Sequence, residues 1–187
     1  MNEVIKAAVD LQTKCEAEGW HFCFIGGLAL QRWGEPRETV DVDLTLLTTF
    51  GREEIFIDTL LSCYEARIPN ARDYALVRRV LVLRNEAGVG LDIALGGLPF
   101  EESAVARSSP FEFLENAAIR TCSAEDLIVM KSFASRPKDW IDVEGILLRQ
   151  HALDWPYIES QLVPLAELKE APEIWSELQR RRRDAEA

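Results

Sequence analysis

Residues 40–47 (VDVDLTLL) alternate: Val42, Leu44 and Leu46 fall on one side, Asp41, Asp43 and Thr45 on the other. A two-residue period rich in β-branched and apolar members predicts a strand that is apolar on one side only. Such a strand needs a sheet with one buried face. On its other face it sets two carboxylates side by side, about 6.5 Å apart along the strand. Convergent carboxylates facing a pocket are costly without a cation. They suit Mg²⁺, which takes one or two carboxylates and completes its shell with water and substrate phosphate. A D-x-D pair also occurs on plainly solvated strands, so its chemical meaning depends on what surrounds it.

Upstream, Val4, Ala8, Leu11 and Cys15 recur at helical spacing, and Gly19 is placed to end that helix. Residues 21–25 (HFCFI) read as a short strand running into Gly26-Gly27 and a short helix, LALQRW. Glycines let a backbone approach a ligand closely, and the N–H groups at a helix start favour phosphate. No G-K-[ST] follows, so this is not a Walker A loop. Arg37 and Thr39 precede the acid pair and offer a guanidinium and a hydroxyl for phosphate contact.

Downstream the pattern predicts a helix over 52–61 and two strands over 76–84 and 89–95, joined by a hairpin turn at 85–88. In the second strand Leu91 and Ile93 face away from Asp92. A turn at Gly96-Gly97, a short helix and a strand over 118–122 follow. With the Asp92 strand beside the D-x-D strand, three carboxylates would form a two-metal centre for in-line displacement at phosphorus. Asp92 would then orient or deprotonate the attacking hydroxyl.

From Ser123 the chain turns helical. Ser123-x-x-Asp126 is a start signal, and Pro137, Pro156 and Pro172 punctuate four helices that end near the arginines 180–183. The expected fold is therefore α+β: a small mixed β-sheet flanked by helices over 1–122, with a helical C-terminal region, 123–187, packed on it. Lys131 falls on the apolar stripe of its helix, where a lysine either snorkels or reaches a ligand. Asp139 and Asp142 read as helix-start carboxylates with basic neighbours, and the arginines 180–183 as a solvated helix end.

At 187 residues, with 48% hydrophobic and 28% charged, the chain is long enough to bury a core without disulfide staples. Its net charge of −11 opposes broad binding to polynucleotide backbones, which needs a basic face. Four cysteines without a C-x-x-C pair, and only two histidines, read as reduced, small buried hydrophobes. The N-terminus is charged and amphipathic rather than signal-like, and no apolar run reaches the ~20 residues of a membrane span. The expectation is a cytoplasmic chain with no membrane partner.

The order strand, Gly-Gly, helix, R-x-T-x-D-x-D-L, later-strand Asp is carried by three stretches: FIGGLALQRWGEPRETVDVDL (24–44), LDIALGGLPFE (91–101) and LIVMKSFASRPKDWIDVEGIL (127–147). It resembles the nucleotidyltransferase superfamily with its polymerase beta-like fold, and is most similar to the AbiEii/AbiGii toxin-like nucleotidyltransferases. The resemblance implies an NTP substrate with Mg²⁺ or Mn²⁺. It implies Asp41, Asp43 and Asp92 as catalytic and metal-binding carboxylates, and Gly26, Gly27, Arg37, Thr39 and Lys131 as nucleotide contacts. It further implies transfer of an NMP to an acceptor hydroxyl, on tRNA, another macromolecule or a small alcohol, and a toxin role with an antitoxin protein as partner. Leu28 stands where the family pattern often has a serine or other small residue, so phosphate contacts there would fall to backbone N–H groups. Two alternatives stand beside this reading. One is a degenerate fold kept as a nucleotide-binding or protein-interaction module, which Leu28 favours. The other is metal-dependent phosphodiester hydrolysis, which explains neither the paired glycines nor the R-x-T.

Overall fold

The computed structural model describes residues 3–186. They form two compact units, residues 3–28 with 38–122, and residues 29–37 with 123–186.

The first unit holds one mixed sheet of seven strands in the order β3-β4-β5-β2-β1-β7-β6. The strands are β1 (Phe22–Phe24), β2 (Asp41–Leu47), β3 (Glu65–Ala66), β4 (Val80–Arg84), β5 (Gly90–Gly96), β6 (Ser109–Leu114) and β7 (Ala117–Thr121). Its helices are α1 (Glu3–Ala17), the start of α2 (Gly26–Trp33), α3 (Glu53–Leu61), α4 (Ala71–Arg78) and α5 (Pro99–Arg107). β2 lies parallel to β5 and antiparallel to β1, while β4 and β5 form the expected hairpin. The α+β expectation, a mixed sheet flanked by helices, holds.

The alternation read in residues 40–47 is the alternation of the sheet. Val42, Leu44 and Leu46 are wholly buried, as are Leu81, Leu83, Leu91 and Ile93 on the neighbouring strands. Register places Leu44 beside Ile93, and Ile93 beside Leu81, so these side chains form one continuous apolar face. α1 contributes Val4, Ala8, Leu11 and Cys15 at helical spacing, α3 contributes Ile57 and Leu60, and α4 contributes Ala71 and Ala75, all in the same core. Gly19, at φ +69°, ends α1 in the left-handed region where glycine is strain-free.

Several boundaries differ from expectation. The strand expected over 76–84 begins only at Val80, because residues 71–78 are helix α4. Ala71 and Ala75, one turn apart, are buried, while Val77 is 77% exposed, a helical pattern that the β-branched Val77 disguises. Arg79 then turns left-handed at φ 56° and donates its N–H to the Ala75 carbonyl at 2.8 Å. Its guanidinium caps the Phe50 ring at 4.3 Å, which holds the helix-to-strand corner. β3 and β6 were not expected. β3 has only two residues, and β6 is an edge strand carrying Pro110, which is tolerated where one side of the ladder is unpaired. Of the four cysteines, Cys63 is exposed rather than buried, and all four are free thiols.

The second unit continues α2 from Ala29 and contains α6 (Ala124–Ala134), α7 (Pro137–Arg149), α8 (Trp155–Leu168) and α9 (Glu173–Glu186). Ser123 caps α6, its Oγ accepting the Asp126 N–H at 3.1 Å. Pro137 and Pro156 sit in the first turns of α7 and α8, where no N–H is missed. Ile128, Val143, Ile146, Ile158, Leu162 and Leu178 are wholly buried. Among the described residues no helix is long and apolar enough to cross a membrane.

Truncation of Leu81, wholly buried in β4, removes methylenes that its neighbours cannot refill. Leu81→Ala is expected to cost about 2–5 kcal/mol, read as a lower urea midpoint for unfolding.

Candidate functional site

In-register residues on adjacent strands point to the same face, so the sheet can be read in rows. The face opposite the apolar one carries Asp43 beside Asp92, and Asp92 beside Val82. The next row places Asp41 beside Gly90, and Gly90 beside Arg84. Parallel pairing of β2 with β5 thus brings all three predicted carboxylates to one end of one face. Asp41 is 42% exposed and Asp92 34% exposed, so this acidic surface is open to solvent.

The glycines stand against it. Gly26 opens α2 at φ +57°, and the preceding Ile25 N–H donates to the Asp43 carbonyl at 3.0 Å. A Cβ on Gly26 would lie 2.6 Å from the Asp43 carboxyl carbon, and one on Gly27 would lie 2.7 Å from the Thr39 Cβ. Neither position has room for a side chain. Thr39 donates its hydroxyl to the Asp41 carbonyl at 3.1 Å, tying the approach of β2 to the same corner. Gly26, Gly27, Thr39, Asp41, Asp43 and Asp92 therefore form one cluster. Leu28, next in line, is 1% exposed and belongs to the core. Its packing, rather than any phosphate contact, accounts for a leucine there.

Sequence reasoning missed Arg67. It follows β3 and donates its backbone N–H to the Val82 carbonyl at 3.1 Å, which aligns it with the row of Asp92 and Asp43. Its guanidinium pairs with the Asp92 carboxylate and lies 3.6 Å from that of Asp41. The signal lay in no local motif, because 25 residues separate Arg67 from Asp92.

Among the described residues no three His, Cys, Asp or Glu side chains stand together as a ready-made metal cage. The donor set nonetheless fits a hard divalent cation that completes its shell with phosphate. It offers carboxylates on adjacent strands, glycine backbone packed directly against Asp43 and Asp41, and a guanidinium already drawn to two of the acids.

Arg37 and Lys131 fall in the second unit, in a different cluster. Arg37 grips Asp142 with two bonds, Nε to Oδ1 at 3.0 Å and Nη2 to Oδ2 at 3.1 Å. Lys131 donates to the same carboxylate at 2.6 Å and lies 3.6 Å from Asp139, which Arg136 also holds, Nη2 to Oδ1 at 3.1 Å. Lys131 is only 8% exposed, so it does not snorkel to water. Asp139 makes the expected local pair with Arg136, whereas the partners of Asp142 are Lys131 and Arg37. Burial pushes the Asp142 carboxyl up, but the bonds from Arg37 and Lys131 outweigh it and leave its pKa below the ordinary value. Asp139 is likewise lowered, burial being offset by Arg136 and by the charge of Lys131. The arginines 180–182 pair with Glu177, Asp184, Glu144 and Glu186, as a solvated helix end does.

The profile of the family described as "Nucleotidyl transferase AbiEii toxin, Type IV TA system" matches residues 11–167. The chain belongs to the AbiEii family. No curated protein sequence is similar to it. Among solved structures it is similar to an antigenic nucleotidyltransferase-like protein from Paracoccidioides brasiliensis, at 15% identity and TM-score 0.55, over 95% of this chain and 93% of that one. It is also similar to the lincosamide antibiotic adenylyltransferase LnuA in its lincomycin-bound form, at 15% identity and TM-score 0.51, over 78% of this chain and 96% of that one. These likenesses are of fold. The family match makes the chain a nucleotidyltransferase. The AbiEii match spans both the carboxylate cluster and the ion pairs of Asp139 and Asp142, and leaves α9 outside.

The depressed carboxyls of this AbiEii-family chain make a pH prediction. A group whose pKa is lower folded than unfolded contributes stability above its unfolded value and loses it as pH falls through the folded one. Wild-type stability should therefore decline as pH drops below about 4. Asp142→Asn leaves Lys131 buried beside a neutral amide. It should cost about 3 kcal/mol at pH 7 and flatten that acid decline, as read by urea unfolding from pH 7 to pH 3.

Proposed function

We propose that this chain transfers an NMP from an NTP to an acceptor hydroxyl with the help of a divalent cation, using the cluster of Asp41, Asp43 and Asp92. The observation that carries this reading is the parallel register of β2 and β5. It sets Asp43 beside Asp92, with the Gly26-Gly27 corner directly against Asp43.

The acceptor oxygen attacks the α-phosphorus, the bond from that phosphorus to the β-bridging oxygen breaks, and pyrophosphate leaves. Asp92 accepts the hydroxyl proton, or orients the hydroxyl so that its proton leaves as the P–O bond forms. The N–H groups at the start of α2 hold phosphate oxygens, an arrangement that glycine allows because no Cβ intervenes. Mg²⁺ or Mn²⁺ on Asp41, Asp43 and Asp92 would supply neutralisation of the charge developing on the phosphates. Arg37, whose two bonds go to Asp142, is assigned to the ion-pair cluster of the second unit rather than to phosphate. Lys131, enclosed with Asp139 and Asp142, is assigned the fixing of Asp142. A growth-inhibiting role in the cytoplasm, restrained by an antitoxin protein, is part of the proposal, and the AbiEii membership supports it. The acceptor is RNA or a small alcohol, and the net charge of −11 suits the latter better.

The test offers each of the four α-labelled NTPs with Mg²⁺, total RNA and cell protein, and separately a panel of small hydroxylated acceptors. Wild type is expected to transfer label from at least one NTP. Asp41→Ala/Asp43→Ala should lose at least ~100-fold of that rate, and chelation of divalent ions should abolish it. Label transfer that survives both changes would overturn the site assignment.

A further inference from the structure

Arg67 occupies a position that the reaction, as proposed, does not use. Its backbone is fixed: β3 pairs with β4, Glu65 accepts from Arg84 Nε at 2.9 Å, and the Arg67 N–H reaches the Val82 carbonyl at 3.1 Å. From that edge its side chain crosses the β4 row to reach β5, two strands away, or about 10 Å at ordinary strand spacing. There the guanidinium pairs with Asp92 and stands 3.6 Å from Asp41. Gly90, between them, keeps the path open, since a Cβ there would come within 2.6 Å of the guanidinium Nη1. Gly90 is the first residue of β5, and the close approach of this arginine gives a glycine there a physical reason.

We propose that Arg67 is the internal counter-ion of the acidic site and competes with the divalent cation for Asp41 and Asp92. The inference rests on the metal-dependent reading above. A carboxylate oxygen accepting a guanidinium N–H spends lone pairs that a hard cation would need, so the two cannot fully share it. Without a cation of either kind, carboxylates in adjacent rows repel. With Arg67 in place the site is held together but partly self-neutralised. At 30% exposure the guanidinium is partly solvated, so its grip is modest and exchangeable. Arg67 thus acts as a positioning residue that lowers metal affinity and keeps the metal-free carboxylates aligned.

The experiment is a titration with Mn²⁺ alone, reading free Mn²⁺ by paramagnetic resonance and protein melting in parallel. It compares wild type with Arg67→Gln and Arg67→Met, two neutral variants that keep part or all of the aliphatic stem, with Arg67→Lys, and with Asp41→Asn/Asp92→Asn. The neutral variants should bind Mn²⁺ roughly 3- to 5-fold more tightly, the size expected on losing one partly exposed competing ion pair. They should melt lower than wild type without metal and gain more from its addition. Arg67→Lys, which keeps the charge but not the fork that spans both carboxylates, should fall between wild type and the neutral variants, and the double asparagine variant should lose binding. Unchanged or weaker Mn²⁺ binding by both neutral variants would overturn the role of Arg67 and leave the transferase reading intact. Absence of Mn²⁺ binding by wild type and neutral variants alike would remove the metal site itself, and this inference with it.

Discussion

Asp41–Leu47 lies against Gly90–Gly96 in parallel register along its whole length. Because side chains alternate, that single pairing settles both faces of the sheet. Leu44 meets Ile93 in the core, and one residue earlier Asp43 meets Asp92 on the opposite face. A slip of one residue would put Asp43 into the apolar core and Leu44 into water, so the burial that holds the sheet together also fixes the acids. Positioning of the carboxylates thus carries no separate cost beyond their own repulsion. The neighbouring hairpin extends the same logic, since Leu81 and Leu83 continue the apolar face while Val82 lies in the row of the acids.

What remains is to bring a backbone and a cation close to those acids, and here small residues decide. Gly26 and Gly27 admit Asp43 and Thr39 at distances no Cβ tolerates, and Gly90 does the same for Asp41 and Arg67. A leucine directly after the pair is compatible with this, because α2 has already turned Leu28 into the core.

The sequence made the alternating strand, the hairpin, the Gly-Gly corner and the four C-terminal helices legible because each rests on a local pattern. Val42, Leu44 and Leu46 announce their face by period, and Ser123 announces a helix by its capping offset. α4 was illegible because its buried positions are only Ala71 and Ala75, too small to mark a stripe, while Val77 suggested a strand. β3 and β6 escaped because a two-residue strand and a proline-bearing edge owe their form to a neighbour. Arg67 and the grip of Arg37 on Asp142 escaped for the same reason. Arginine pairs made across 25 and 105 residues leave no trace in spacing. The role of Lys131 was readable only as a choice between solvent and ligand, and a buried partner on the next helix was a third possibility.

Two groups of aspartates show how burial separates scaffolding from exchangeable charge. Asp139 and Asp142 are 1% and 4% exposed and share Arg136, Lys131 and Arg37. With so many donors in a dry setting, withdrawing one partner strands a charge, and the depressed pKa values report how firmly the ionised form is held. Asp41 and Asp92 are 42% and 34% exposed and share one guanidinium that is itself partly solvated. Water can replace that partner at small cost, so these are the carboxylates able to change ligands. The same residue types at similar distances therefore do opposite work. A net charge of −11 says little about the pairing within either group, because each carries its own cations.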